Sequence, residues 1–196
     1  MALAHLVPIA SILLGAAAGA GDTASGVFRS LVATGRSRAS LFLARVPAGL
    51  MLVIPLAAVA FAMVAFVGKA FADGGPTPSW TLILETGLWI ELQAVMLYLL
   101  ANGFASLTGS RFTTVGVLLA LVLVATPLIE QISWMPNLRQ AVLGVPLDQL
   151  RPKGLDAGVG GSSVLVMTVT AICIDLVAWA ALSIGIGCWR TTKRDA

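Results

Sequence analysis

The chain has 196 residues, of which 58% are hydrophobic and only 11% are charged, and its formal net charge is +3. Soluble domains carry about 25% charged residues, so this composition excludes an ordinary soluble globular protein. The 12 Lys and Arg residues are spread thinly along the chain and form no basic patch, which argues against nucleic-acid binding.

Five apolar blocks are long enough to cross a membrane, because a transmembrane helix needs about 20 mainly apolar residues. We therefore predict an all-α polytopic membrane protein with about five transmembrane helices in a single domain, residues 1–196. In chain order the predicted spans are 2–20, 46–67, 80–107, 113–132 and 164–188.

The first block has a second interpretation, a cleaved signal peptide. Ala18-Gly19-Ala20 resembles a small-residue cleavage site. However, the residues before the apolar run contain no Lys or Arg, only His5. Cleavage would also leave the most basic connection, 21–45, outside the cell, so the sequence favours a retained span.

The Lys and Arg residues of the connections predict the orientation. One set of alternate connections, with the C-terminus, holds eight of them and the other set holds four. Since cytoplasmic loops carry the excess of basic residues, we expect 21–45, the tight turn at 108–111 and the C-terminus in the cytoplasm. The N-terminus and the long loop 133–163 are then outside, where residues 137–150 can form short helices against the membrane surface.

The connection 21–45 contains a short amphipathic stretch. Val27, Phe28, Leu31 and Val32 are apolar, whereas Arg29 and Ser30 form a polar side. Such a helix can lie at the cytoplasmic membrane interface. From the residues alone, a basic cytoplasmic loop that obeys the positive-inside rule explains the segment as well.

This connection resembles the cytoplasmic segment between the second and third spans of type 2 ABC-transporter permeases. The matching features are an acidic residue (Asp22), then Gly26 with a basic residue three positions later (Arg29), and the Ser37-Arg38 break. Gly35 stands where the family usually has proline. The order of spans, outer loop and basic tail resembles the later part of that family, whose usual first of six spans has no counterpart here.

The resemblance implies a permease subunit of an ABC exporter in a bacterial inner membrane, working as a homodimer or heterodimer. ATP would be bound by a separate ABC ATP-binding subunit, and the permease chain would need no cofactor of its own. In the family this segment is the coupling helix that rests on the ATP-hydrolysing subunit. The residues expected at that contact are Asp22, Gly26, Phe28, Arg29, Leu31, Arg36, Ser37 and Arg38.

Several polar side chains fall inside the predicted spans, where burial in lipid is costly, and three of them are candidate site residues. Glu91 lies near the middle of the third span, Gln93 is on the same helix, and Asp175 is near the middle of the last span. A functional role and a structural hydrogen bond are both open for Glu91. For Asp175 a packing role is favoured.

Motifs for chemistry within the chain are missing from the sequence. It contains no Gly-x-x-x-x-Gly-Lys-Ser/Thr loop for phosphate binding and no Gly-x-Ser-x-Gly, and His5 is its single histidine. We therefore expect neither an enzyme nor a metal site. Two alternatives to a permease stay open: a small membrane scaffold or assembly protein, and an intramembrane enzyme in which Glu91 and Asp175 face each other.

Overall fold

The computed structural model describes residues 2–24, 35, 37–72, 77–130, 142–153 and 167–193. Over these residues the regular structure is helical, with no strand. The helices are α1 (Ala2–Ala24), α2 (Arg38–Ala70), α3 (Trp80–Thr108), α4 (Arg111–Ala120), α5 (Thr126–Glu130), α6 (Gly144–Gln149) and α7 (Val169–Lys193), and a π-helical turn, Leu121–Ala125, joins α4 to α5.

Four helical segments are long and apolar enough to cross a membrane: Arg38–Ala70, Trp80–Thr108, Arg111–Ile129 and Val169–Lys193. This confirms the all-helical, multi-pass prediction, with one span fewer than the five predicted. The difference lies in α1, whose apolar stretch, His5–Gly21, is shorter than the other four. Helix α1 is nevertheless part of the bundle, because it packs along α3.

Serine side chains cap the start of three long helices. The Oγ atoms of Ser37, Ser79 and Ser110 accept the backbone N–H three residues later, at 3.2, 3.1 and 3.3 Å. Such a cap stabilises a helix by about 1 kcal/mol. Gly109, with φ +71°, ends α3 in the left-handed conformation that glycine adopts at low cost. The predicted tight turn at 108–111 is thus built from a glycine end and a serine start.

The helices alternate in direction. Gly15 lies against Tyr98 and Gly19 against Asn102, so α1 and α3 run parallel. Gly49 lies against Tyr98 and Gly87 against Phe61, so α2 runs antiparallel to α3.

Helix α7 runs parallel to α3. Ser183 contacts Gly103 near one end, and Ile172 packs with Leu147 in the same apolar cluster near the other. Therefore α1, α3 and α7 all begin at the same end of the bundle, which we call the α6 end because α6 lies there.

Helix α3 is the centre of the bundle. Its buried positions extend from Trp89 to Ser106, and the Tyr98 hydroxyl donates a hydrogen bond to the carbonyl of Arg45 on α2, at 3.1 Å. Gly15 and Gly19 bring the α1 backbone against α3, and Ser106 Oγ donates to the Gly19 carbonyl at 3.3 Å. This small-residue pair therefore packs two helices of one chain.

Candidate functional site

A cavity of about 550 Å³ lies at the α6 end of the bundle. Helices α1, α3 and α7, the π turn with α5, and the segment around α6 all contribute to its wall. The wall is mostly apolar, with polar groups from His5, Gln93, Thr126, Asp148 and Arg151. Its aromatic and larger aliphatic members are Trp89, Trp179, Leu97, Leu100, Leu121, Val122, Leu123, Ile129, Val142, Leu143 and Leu147.

The segment that carries α6 is anchored on the bundle by two long-range hydrogen bonds. Trp89 Nε1 on α3 donates to the Leu147 carbonyl at 2.6 Å. The backbone N–H of Met167 donates to Gln149 Oε1 at 2.8 Å. Val145, Pro146 and Leu147 are buried, so this short helix is part of the protein core and forms one wall of the cavity.

The π turn, which contributes Leu121, Val122 and Leu123 to the wall, has a local cause. Pro127 follows it, and a proline lacks a backbone N–H and its ring clashes with the carbonyl four residues earlier. The Leu121 carbonyl accepts the backbone N–H of Thr126, five residues later, and also the Thr126 hydroxyl, at 3.0 Å. Single π turns occur frequently at functional sites.

The charged part of the cavity is an Arg–Asp pair beside a tryptophan. Arg151 forms an ion pair with Asp148, and its guanidinium lies 5.3 Å from the centroid of the Trp89 ring. Burial raises the pKa of Asp148 above its ordinary value, and Arg151 acts in the opposite direction. The guanidinium is therefore held between a carboxylate and an aromatic face, both of which attract its positive charge.

Two polar atoms of residues in this wall lack a hydrogen-bond partner among the described residues. They are Arg151 Nε, a donor, and Gln93 Oε1, an acceptor, and both atoms are inaccessible to solvent. An unpaired buried polar atom costs about 1–3 kcal/mol. Both atoms are therefore packed inside the wall and are not exposed to the cavity.

The three predicted intramembrane polar residues do not form one site. Gln93 lines the cavity. Glu91 is two positions away on α3, so at about 100° per residue it projects roughly 200° from Gln93. Both Glu91 carboxylate oxygens and Asp175 Oδ2 are buried without a hydrogen-bond partner in the described part of the chain. Glu91 and Asp175 are therefore not hydrogen-bonded to each other.

Most of the predicted coupling segment, including Gly26, Phe28, Arg29, Leu31 and Arg36, lies outside the described residues. Asp22 falls in the last turn of α1. Ser37 is the N-cap of α2 and Arg38 its first residue, so the helix of the second span begins well before the predicted position, 46.

Gly35 has φ +84°, in the left-handed region that glycine favours. Proline is fixed near −65°, so the residue usual in the family at this position could not adopt the conformation of Gly35.

The cavity wall also contains Trp89, Thr126, Asp148 and Arg151, which no sequence motif marks as site residues. Trp89 and Leu147, which the site brings together, are 58 positions apart, and no local pattern pairs them. Arg151 is one of the four basic residues of the proposed outer connections, and Asp148 lies within 137–150, where short helices are predicted. Neither feature indicates a binding site.

No family model, no curated protein and no solved structure matches the chain.

Proposed function

We propose that this chain is the membrane-spanning permease subunit of a type 2 ABC exporter. The observation that supports this proposal best is a bundle of membrane-length helices around a cavity of about 550 Å³. A scaffold needs only close helix packing, whereas a transporter needs a place for its substrate between the helices. The second support is the resemblance of residues 22–38 to the family's coupling segment.

In this proposal the chain crosses a bacterial inner membrane five times, with α1 as the first span. The distribution of basic residues supports the orientation. Arg38, Arg111, Arg190 and Lys193 lie at the end of the bundle where α2 and α4 begin and α7 ends. We assign this end to the cytoplasm and the α6 end to the outside.

ATP would be bound and hydrolysed by a separate ABC ATP-binding subunit, and the permease would act as a homodimer or as a heterodimer with a second permease subunit. Movement of the ATP-binding subunits would act on residues 22–38, which are joined directly to the start of α2. Because α2 packs against α3 through Gly49 and Tyr98, a tilt of α2 would be transmitted to the central helix. The chain itself would perform no covalent chemistry.

The test is co-purification with an ABC ATP-binding subunit encoded by a neighbouring gene. The double variant Arg29→Glu with Arg38→Glu should lose the ATP-binding subunit and transport, since both changes reverse charge at the proposed contact. A matched control, Arg139→Glu with Lys153→Glu, reverses two charges on the proposed outer loop and should retain both. If the first variant retained binding and transport, the proposal that residues 22–38 contact the ATP-binding subunit would be wrong.

A scaffold or assembly protein is the alternative function. It would require no ATP-binding subunit and would not couple ATP hydrolysis to movement of any solute. Failure of the wild-type chain to capture the ATP-binding subunit, with the chain itself folded and inserted, would favour this alternative over the permease.

A further inference from the structure

The cavity has the dimensions of a small-molecule site. Pockets that hold one drug-sized molecule have volumes of about 300–1,000 Å³ and are mostly apolar with a few convergent polar groups. The cavity, at about 550 Å³, falls within this range. Its apolar part, which includes Leu97, Leu100 and Trp179, suits a single acyl chain or a comparable apolar body.

The polar part of the cavity determines which head group the ligand can carry. Arg151 and Asp148 carry opposite charges and lie together in one wall, so this part of the site has no net charge. A head group with a single net charge would meet one favourable and one unfavourable partner. A zwitterionic head group meets two favourable ones, with its anionic part at Arg151 and its cationic part at Asp148.

The hydrogen-bonding capacity of the cationic group narrows the choice of head group further. Asp148 lies in the cavity wall with part of its side chain exposed, and its carboxylate accepts hydrogen bonds. A primary ammonium has three N–H donors for this carboxylate, whereas a quaternary ammonium has none.

We propose that this cavity binds a single-chain zwitterionic amphiphile whose head group carries both a phosphate or carboxylate and a primary ammonium. The anionic group binds Arg151, the ammonium binds Asp148, and the chain occupies the apolar part of the cavity. This inference deepens the proposed function by naming the substrate class. It is tested on the isolated full chain without an ATP-binding subunit, so its failure is distinct from failure of the transport proposal.

The experiment measures equilibrium binding of tritiated palmitoyl lysophosphatidylethanolamine to the purified chain in maltoside detergent. We expect saturable binding of one molecule per chain. Palmitoyl lysophosphatidylglycerol, which carries a net negative charge, should compete at least about tenfold more weakly. Glycerophosphoethanolamine, which has the head group without the chain, and inorganic phosphate should not compete at millimolar concentrations. Equal competition by the two lysophospholipids, or competition by free phosphate, would overturn the proposed ligand class.

Two leucine variants on α3 locate the site. Leu100→Trp puts a larger side chain in the cavity wall and should weaken saturable binding about tenfold, because Leu100 is in that wall. The control is Leu88→Trp, on the same helix but with 71% of the side chain exposed, which should bind as the wild type does. Equal binding by both variants would place the ligand elsewhere.

Two charge variants test the recognition of the head group. Arg151→Gln should weaken binding of the ethanolamine probe about tenfold or more, while Lys153→Gln, an exposed neighbour, should leave it unchanged. Asp148→Asn removes the negative partner and should shift the preference toward lysophosphatidylglycerol.

The double variant, Asp148→Asn with Arg151→Gln, contains no unpaired charge and keeps the test valid if either single variant fails to fold. It should bind both probes weakly and equally. A double variant that still prefers the ethanolamine probe would exclude this ion pair as the selective element.

Discussion

Helices α2 and α3 have similar lengths, 33 and 29 residues, but different positions in the bundle. Of their apolar windows, 39% is buried inside the protein in α3 against 11% in α2. Helix α3 contacts α1, α2, α4 and α7, whereas large side chains such as Met51, Met63 and Phe66 of α2 are more than half exposed. The helix with the more apolar window, α2, is therefore the peripheral one, and the helix with the less apolar window, α3, is central.

The difference follows from which residues each helix offers to its neighbours. Helix α3 presents small residues, such as Gly103 and Ala105, where other backbones approach closely. In lipid the hydrophobic effect does not drive helices together, so close packing and hydrogen bonds carry the association. Helix α2 has such a position at Gly49, but much of its remaining surface is large and apolar, which suits contact with lipid.

The largest loss of stability is expected from a substitution at Gly103, where α3 and α7 are in close contact. A Cβ added there would lie 2.2 Å from the backbone oxygen of Ser183, and backbone cannot move aside as a flexible side chain can. Gly103→Val should destabilise the protein by more than about 3 kcal/mol, the upper part of the range for overpacking. Detergent-titrated unfolding measured by circular dichroism gives the value.

The control for that variant is Gly68→Val on α2, where an added Cβ meets nothing within 4 Å. It should unfold as the wild type does. If both glycine variants were equally stable, the central position of α3 would be wrong.

The second prediction compares the stability cost of a Leu→Ala substitution on α3 with that on α2. Leu99 on α3 is 7% exposed and Leu56 on α2 is 52% exposed. Leu99→Ala should cost about 2 kcal/mol, the low end of the range for buried leucines, because in lipid the packing part of the loss remains but the transfer part is small. Leu56→Ala should cost close to zero.

The same unfolding measurement on the two alanine variants distinguishes a protein-facing from a lipid-facing position. A cost at Leu56 similar to that at Leu99 would indicate that α2 is covered by a protein partner in the detergent-solubilised state.

Much of this fold is predictable from the sequence because length and apolarity determine which segments become spanning helices. Serine caps at Ser79 and Ser110 and the glycine turn at Gly109 also leave local signals. The candidate site is different. The site depends on the contact between Trp89 and Leu147 and on the direction in which Gln93 projects from α3. Glu91 and Asp175 were singled out by their depth along a predicted span. Depth does not determine the direction in which a side chain projects.

A smaller effect is expected at Trp89, where α3 holds the α6 segment. Trp89→Phe keeps an aromatic ring but removes the N–H that donates to the Leu147 carbonyl. Loss of one such hydrogen bond costs about 1 kcal/mol, and we expect it to be local. Amide hydrogen exchange should accelerate in Val145–Asp148 and stay unchanged in the centre of α3. Unchanged exchange in α6 would show that other contacts anchor this segment.

The smallest expected effect is a pH dependence at Asp148. Burial raises its pKa above the ordinary value of 3.8, with Arg151 opposing, so the folded state holds the proton more tightly than the unfolded state does. Stability from this group is therefore fully present below pH 3.8 and is lost as the pH rises through the folded pKa. Arg151, which pairs with this carboxyl, and His5 are the described basic groups in the same cavity wall.

The measurement is the difference in thermal midpoint between the wild type and Asp148→Asn as a function of pH, since subtraction removes the titration of the other carboxyl groups. The asparagine variant cannot ionise at this position. The difference should therefore move in favour of the wild type as the pH falls through the folded pKa toward 3.8 and become constant below it. A difference that moves in favour of the asparagine variant on acidification would mean that the pairing with Arg151 outweighs burial, and the ion pair would then be a source of stability for the cavity wall.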